Sequence, residues 1–286
     1  ETDGQARIPV AGPNTAPPLV ALIGALRSGL DERESFSSPN TFQERNTYGA
    51  QARFDVERDA FTFTSLSSWR ATDFSWFDDL GGLPTPPYVL LVEDRADEDS
   101  DQFTQEFRFT SNNDSGVSWV AGLFLFHEDV NRSENFVVDA LPPFPSFVGG
   151  DVTFTQNATN QSVAGFAQMT WPVTETVNLT GGVRLTWDSK EILARGIDND
   201  TPGGPFPGIP LGPPPLGVAF PGGVTGEESW TEPTWRLAAD WRPNDNILAY
   251  ASYDRGYKSG LYPSQAQNAV QASTPLDPEI LDNFEI

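Results

Sequence analysis

The 286 residues carry 40 Asp and Glu against 17 Lys and Arg, for a net charge of -23. That balance argues against nucleic acid or an anionic bilayer surface as partner, and the only lysines are Lys190 and Lys258. There is no Cys, which suits a compartment where stray thiols oxidise, and no apolar run approaches the roughly 18 residues of a membrane helix. A bilayer contact, if there is one, is therefore made by strands closed into a barrel.

Residues 1–45 show no sustained period, although Pro17 and Pro18 predict a short helix through Leu26, stopped at Gly29. From Tyr48 a period of two begins. Tyr48, Ala50, Ala52, Phe54 and Val56 alternate with Gly49, Gln51, Arg53 and Asp55, which puts the apolar set on one face of a strand. After a Glu57-Arg58-Asp59 turn, Phe61 to Arg70 reads as a second strand, with a bulge expected near Leu66 where the alternation slips. Asp73 to Asp101 then reads as a long acidic loop, and its carboxylates lack the ordered ligand spacing of a Ca²⁺ site.

The third strand sets Phe103, Gln105, Phe107 and Phe109 against Thr104, Glu106, Arg108 and Thr110. The fourth, Val117 to Glu128, has bulky apolar residues on both faces. His127, the only histidine, reads as a strand end. A second long loop, Asp129 to Ala158, precedes two strands of membrane-spanning length, Val163 to Trp171 and Val177 to Trp187. Each carries a Trp near one end, where an aromatic girdle sits. Ser189 to Glu228 is the longest predicted loop and includes the Pro/Gly-rich stretch Thr201 to Gly223. Trp235 to Arg242 and Ile247 to Lys258 form the last hairpin, before a closing loop and the start of a further strand.

Connections thus alternate short and long along the chain. An up-and-down transmembrane barrel, with short periplasmic turns and long extracellular loops, requires this. A soluble sandwich with Greek-key crossings does not. The fold expected is all-β: an antiparallel up-and-down barrel segment of about eight strands plus the start of a ninth.

Several segments also resemble TonB-dependent receptors of the Gram-negative outer membrane, and in particular their siderophore-receptor-like branch. They are FTQEFRFTS (Phe103 to Ser111), WVAGLFLFHE (Trp119 to Glu128), LTGGVRLTWDSK (Leu179 to Lys190), AYASYDRGYKSGLYP (Ala249 to Pro263) and PEILDNFEI (Pro278 to Ile286). The resemblance implies a middle portion of a 22-stranded barrel, with residues 1–45 an extracellular loop, 46–286 strands and loops, and the plug domain outside the chain. It implies outer-membrane lipid around the barrel, capture of a ferric siderophore or another scarce nutrient at the loops, and import powered through TonB. It implies no catalysis, and the single histidine with no Cys offers too few partners for a zinc or Ser-His-Asp constellation, so neither a cofactor nor a metal is expected.

By alternation Arg53, Glu106, Arg108, Arg184, Arg236 and Asp240 face inward, where they line a ligand path, contact a plug or pair with one another. Two alternatives stay open at this point. One is a passive porin or small outer-membrane barrel; the other is a secreted β-rich binding or adhesion protein.

Overall fold

The computed structural model describes residues 2–3, 41–79, 90–112, 116–140, 150–199, 220–266 and 268–286. The helix expected at 17–26 and most of the Pro/Gly-rich stretch lie outside them. Ten strands form one antiparallel sheet in strict chain order. A two-residue β1 (Thr2–Asp3) precedes β2 (Phe42–Glu57), β3 (Phe61–Asp79), β4 (Leu90–Ser111), β5 (Ser118–Ala140) and β6 (Gly150–Pro172). β7 (Val177–Asp198), β8 (Val224–Asn244), β9 (Ile247–Lys258) and β10 (Glu279–Glu285) complete it, with one short helix, α1 (Ala269–Ser273), between the last two. β1 and β10 pair with β2 and β9 and not with each other, so the sheet is open.

Register carries the apolar rows across the sheet. Val183 on β7 lies between Ala167 on β6 and Trp235 on β8, and Leu123 on β5 lies between Phe107 on β4 and Gly165 on β6. The resulting face is apolar and open: Val183 is 65% exposed, Phe54 64% and Leu185 55%. A contiguous surface of this kind is far larger than soluble monomers tolerate. Six of the eight tryptophans border it. Trp119, Trp171 and Trp241 stand beside the short turns, and Trp69, Trp187 and Trp235 stand about eight to ten residues further along their strands. At about 3.3 Å per residue and a tilt of about 40°, ten residues rise about 25 Å, the height of a barrel's apolar band.

The strands run well past that band. β3 continues to Asp79 and β4 begins at Leu90, so the acidic segment expected as a loop is mostly paired strand, with Asp73 opposite Asp99. The expected loop Asp129 to Ala158 likewise becomes the ends of β5 and β6, and the expected loop after Ser189 is strand through Asp198 and again from Val224. Above the band both faces of a strand meet water, so the alternation disappears while the backbone ladder goes on. His127 accordingly sits inside β5, with its Nε2 3.2 Å from Asp129 Oδ2.

The bulge expected near Leu66 is absent. β3 pairs with β4 without interruption, placing Ser65 and Ser67 on the apolar face beside Gln105. Gln105 Nε2 donates to Ser65 Oγ at 3.0 Å and its Oε1 accepts from Ser67 Oγ, so the polar atoms satisfy one another. The irregularity falls instead between Trp241 and Asn244, at the turn into β9.

Candidate functional site

The polar face of the sheet, opposite the exposed aromatics, carries the charges. There β4 to β10 surround an open cleft of about 660 Å³, with Glu106, Arg108, Phe166, Arg184, Arg236 and Asp254 in its wall. Four of the six residues singled out from the alternation therefore share one cleft. Arg53 and Asp240 stand outside it. Arg53 Nε is 2.8 Å from its neighbour Asp55, and Asp240 accepts from Asn178 Nδ2 at 2.8 Å near a short turn.

Most of the arginines in the cleft are neutralised locally. Arg108 lies 3.4 Å from Glu106, and Arg236 Nη1 donates to Asp254 Oδ1 at 2.8 Å. Arg184 differs. Its Nε donates to Thr186 Oγ1 at 3.0 Å, and its guanidinium stands 5.5 Å from the Phe124 ring centre and 5.9 Å from that of Phe166. Among the described residues it has no carboxylate within ion-pair distance. The aromatic shelf depends on Gly122, because a Cβ there would fall 2.5 Å from the Phe107 carbonyl oxygen and 2.6 Å from the Phe166 ring. Arg184 is thus a cation fixed by stacking, with its terminal nitrogens left to the cleft.

Higher up, where the strands have left the apolar band, residues 259–266 and 268–278 turn back over the polar face. β8 and β9 separate above Trp235↔Arg255, whereas the β7–β8 ladder continues to Ala194↔Val224. Pro233 stands at the parting and has no N–H to donate. The returning segment closes on itself through Leu261↔Leu276 and contains α1, capped by Asn268 Oδ1, which accepts from the Gln271 amide. It packs Tyr262, Ala266 and Ala272 against Ile192, Ala194 and Phe220. Gly226 makes room, since a Cβ there would meet the Tyr262 ring at 2.5 Å.

The far end of this strap reaches β5. Gln265 Nε2 donates to Glu134 Oε1 at 2.6 Å, and Arg132 Nη2 donates to Glu134 Oε2 at 3.0 Å. Arg132 Nη1 also bonds Glu98 Oε2 at 3.0 Å, and its guanidinium lies 4.7 Å from the Trp76 ring centre. Glu134 is only 2% exposed. Sequence reasoning missed this cluster because it treated the strand extensions bearing Asp94, Arg132 and Glu134 as loops. Among the described residues no group of three metal-ligating side chains converges to hold an ion.

An antiparallel meander with an exposed apolar belt and a charged opposite face defines the class of outer-membrane β-barrels. The family model for the TonB dependent receptor-like β-barrel matches residues 4–286, and the chain belongs to that family. Solved structures agree in fold. The ferric yersiniabactin uptake receptor FyuA from Yersinia pestis aligns at 20% identity with a TM-score of 0.59, over 87% of this chain and 33% of that one. The siderophore receptor PiuA from Acinetobacter baumannii aligns at 14% identity and 0.62, over 89% and 39%. The ferric-catecholate import receptor Fiu from E. coli K12 aligns at 17% and 0.55, over 81% and 39%. The chain therefore spans little more than a third of the length of the structures it matches. Among curated proteins none matches it. The neighbours are named as an uptake receptor, a siderophore receptor and an import receptor.

Proposed function

We propose that this chain forms part of the wall of an outer-membrane receptor that captures a scarce nutrient, such as a ferric siderophore, and imports it with energy supplied through TonB. The observation that carries this reading is the sorting of the sheet into a lipid-matched apolar face and a charged cleft, on a chain belonging to the TonB-dependent receptor family. The uptake roles named for the solved neighbours support it. Within the cleft Arg184 is the residue we assign to an incoming acidic group, while Glu106, Arg108 and Arg236 hold the wall together, as do Arg53 and Asp240 outside it.

The test is uptake of radiolabelled ferric siderophores by iron-starved cells with and without the gene. Gene-dependent uptake abolished by a protonophore or by loss of TonB supports the reading. Gene-dependent uptake indifferent to both would make the barrel a passive pore.

A further inference from the structure

Residues 259–266 and 268–278 cross the polar face from the β9 end to β5, above the apolar band. Sixteen residues past Ser118 on β5, Glu134 stands about 15 Å beyond that band. The dry contact holding the strap is small and Ala-rich, built on Tyr262, Ala266 and Ala272. Among the described residues, its far end is held by Gln265 to Glu134 and, more weakly, by Gln156 Nε2 to the Pro263 carbonyl at 3.4 Å. A segment anchored this lightly opens at a lower free-energy cost than the ladder beneath it.

The acceptor of that bond belongs to a carboxyl pair. Asp94 on β4 lies on the same face as Glu134, close enough to feel its charge, and buries an oxygen, Oδ1, that no described donor meets. The Trp76 indole N–H donates to Asp94. The charged groups facing the pair are Asp78 from β3, Glu98 from β4 and Arg132 from β5. β6 offers uncharged Phe154 and Gln156, and the strap offers Gln265. Asp79 and Glu93 pair on the opposite side of the sheet. Among the described residues, Arg132 is the cation that faces this group of carboxyls.

We propose that residues 259–266 and 268–278 are a proton-controlled strap: closed across the polar face when Asp94 beside Glu134 holds a proton, and released as that proton is lost. Burial first, then the Glu134 charge, push the Asp94 carboxyl up to about 6. Opening the strap rehydrates Glu134 and returns Asp94 toward its ordinary range. Closure then takes up a proton, so the closed state is favoured below the ordinary carboxyl range and loses that advantage as pH rises through about 6. The gap between the ordinary value and the raised one caps the effect at about 100-fold in the closed-to-open ratio. The device does not depend on which ligand the receptor carries.

The test uses the gene product bearing these residues, in outer-membrane vesicles, with one Cys introduced at a time. Ala272→Cys, fully covered by the strap's packing, reports opening, and exposed Ser264→Cys normalises for the reagent's own pH dependence. The expected result is a ratio of maleimide rates, Ala272→Cys over Ser264→Cys, that rises about tenfold between about pH 5 and pH 7.5. Asp94→Asn, which mimics the protonated partner, should hold the ratio low throughout. Gln265→Ala should raise it at every pH. Hydrogen exchange over 259–278 in the unsubstituted protein should follow the same curve. A ratio that ignores pH, or a pH response that survives Asp94→Asn, would overturn the proposal.

Discussion

Val183 is flanked on the apolar face by Ala167 and Trp235, and among the described residues it stays 65% exposed. An arginine there would stand near the middle of the band, so Val183→Arg should cost about 2–4 kcal/mol and block assembly. Thr180→Arg, on the polar face where Thr180 Oγ1 meets Thr170 Oγ1 at 2.9 Å, should assemble nearly normally. Band-shift on unheated gels reads both. The cleft makes a second residue-scale contrast. Arg184→Gln should weaken uptake at least about tenfold with assembly intact, because it removes a cation that no carboxylate among the described residues matches. Arg236→Gln should leave uptake near the parent value and cost under about 1 kcal/mol, since the arginine of its pair with Asp254 is about half exposed. Equal uptake losses in the two variants would remove Arg184 from its assigned place. Alternation grouped these residues on one side of their strands but gave no sign of their partners. Thr186, which the pattern puts on a wet face, is in fact 7% exposed beneath the Arg184 side chain.

At the scale of elements, legibility ended where the band ended. Val177 to Trp187 and Ile247 to Lys258 can be read from a period of two because one side meets apolar surroundings and the other does not. Glu93 to Ser100 and Asn131 to Asn135 carry no such contrast, yet the ladders of β4 and β5 continue through them. Backbone hydrogen bonding to a neighbour already in place suffices, and composition does not forecast it. The Leu66 slip, read as a bulge, is instead a polar triad on the apolar face, made possible by Gln105 two strand positions from Phe103 and Phe107. Gly122 belongs to this scale too, because it sets how closely β4, β5 and β6 approach at the cleft. Gly122→Ala should cost about 1–3 kcal/mol, since the Phe107 carbonyl cannot move aside without breaking its ladder. A thermal unfolding midpoint unchanged in that variant would mean the shelf is looser than described.

For the whole molecule, the decisive features are two open edges and one continuous apolar belt. Among the described residues, β10 and the free side of β2 beyond its bridge to β1 present unpaired backbone groups, which no membrane span tolerates in lipid. The isolated 286 residues refolded in micelles should therefore associate through those edges, giving a sedimentation profile that shifts with protein concentration. A sharp monomer would show that the edges find partners within the chain. The charge of -23 resides largely above the band, in strand ends rich in Asp and Glu, where water solvates it. The most direct test of the central claim, that the apolar face meets lipid and the charged face lines the lumen, is a single-Cys scan along Val177 to Trp187 in a Cys-free gene product within the outer membrane. Lipid-borne quenchers should reach probes at Leu179, Val183 and Leu185, and water-soluble quenchers should reach those at Thr180, Gly182 and Arg184. Quenching without that alternation, or water access at every position, would contradict it.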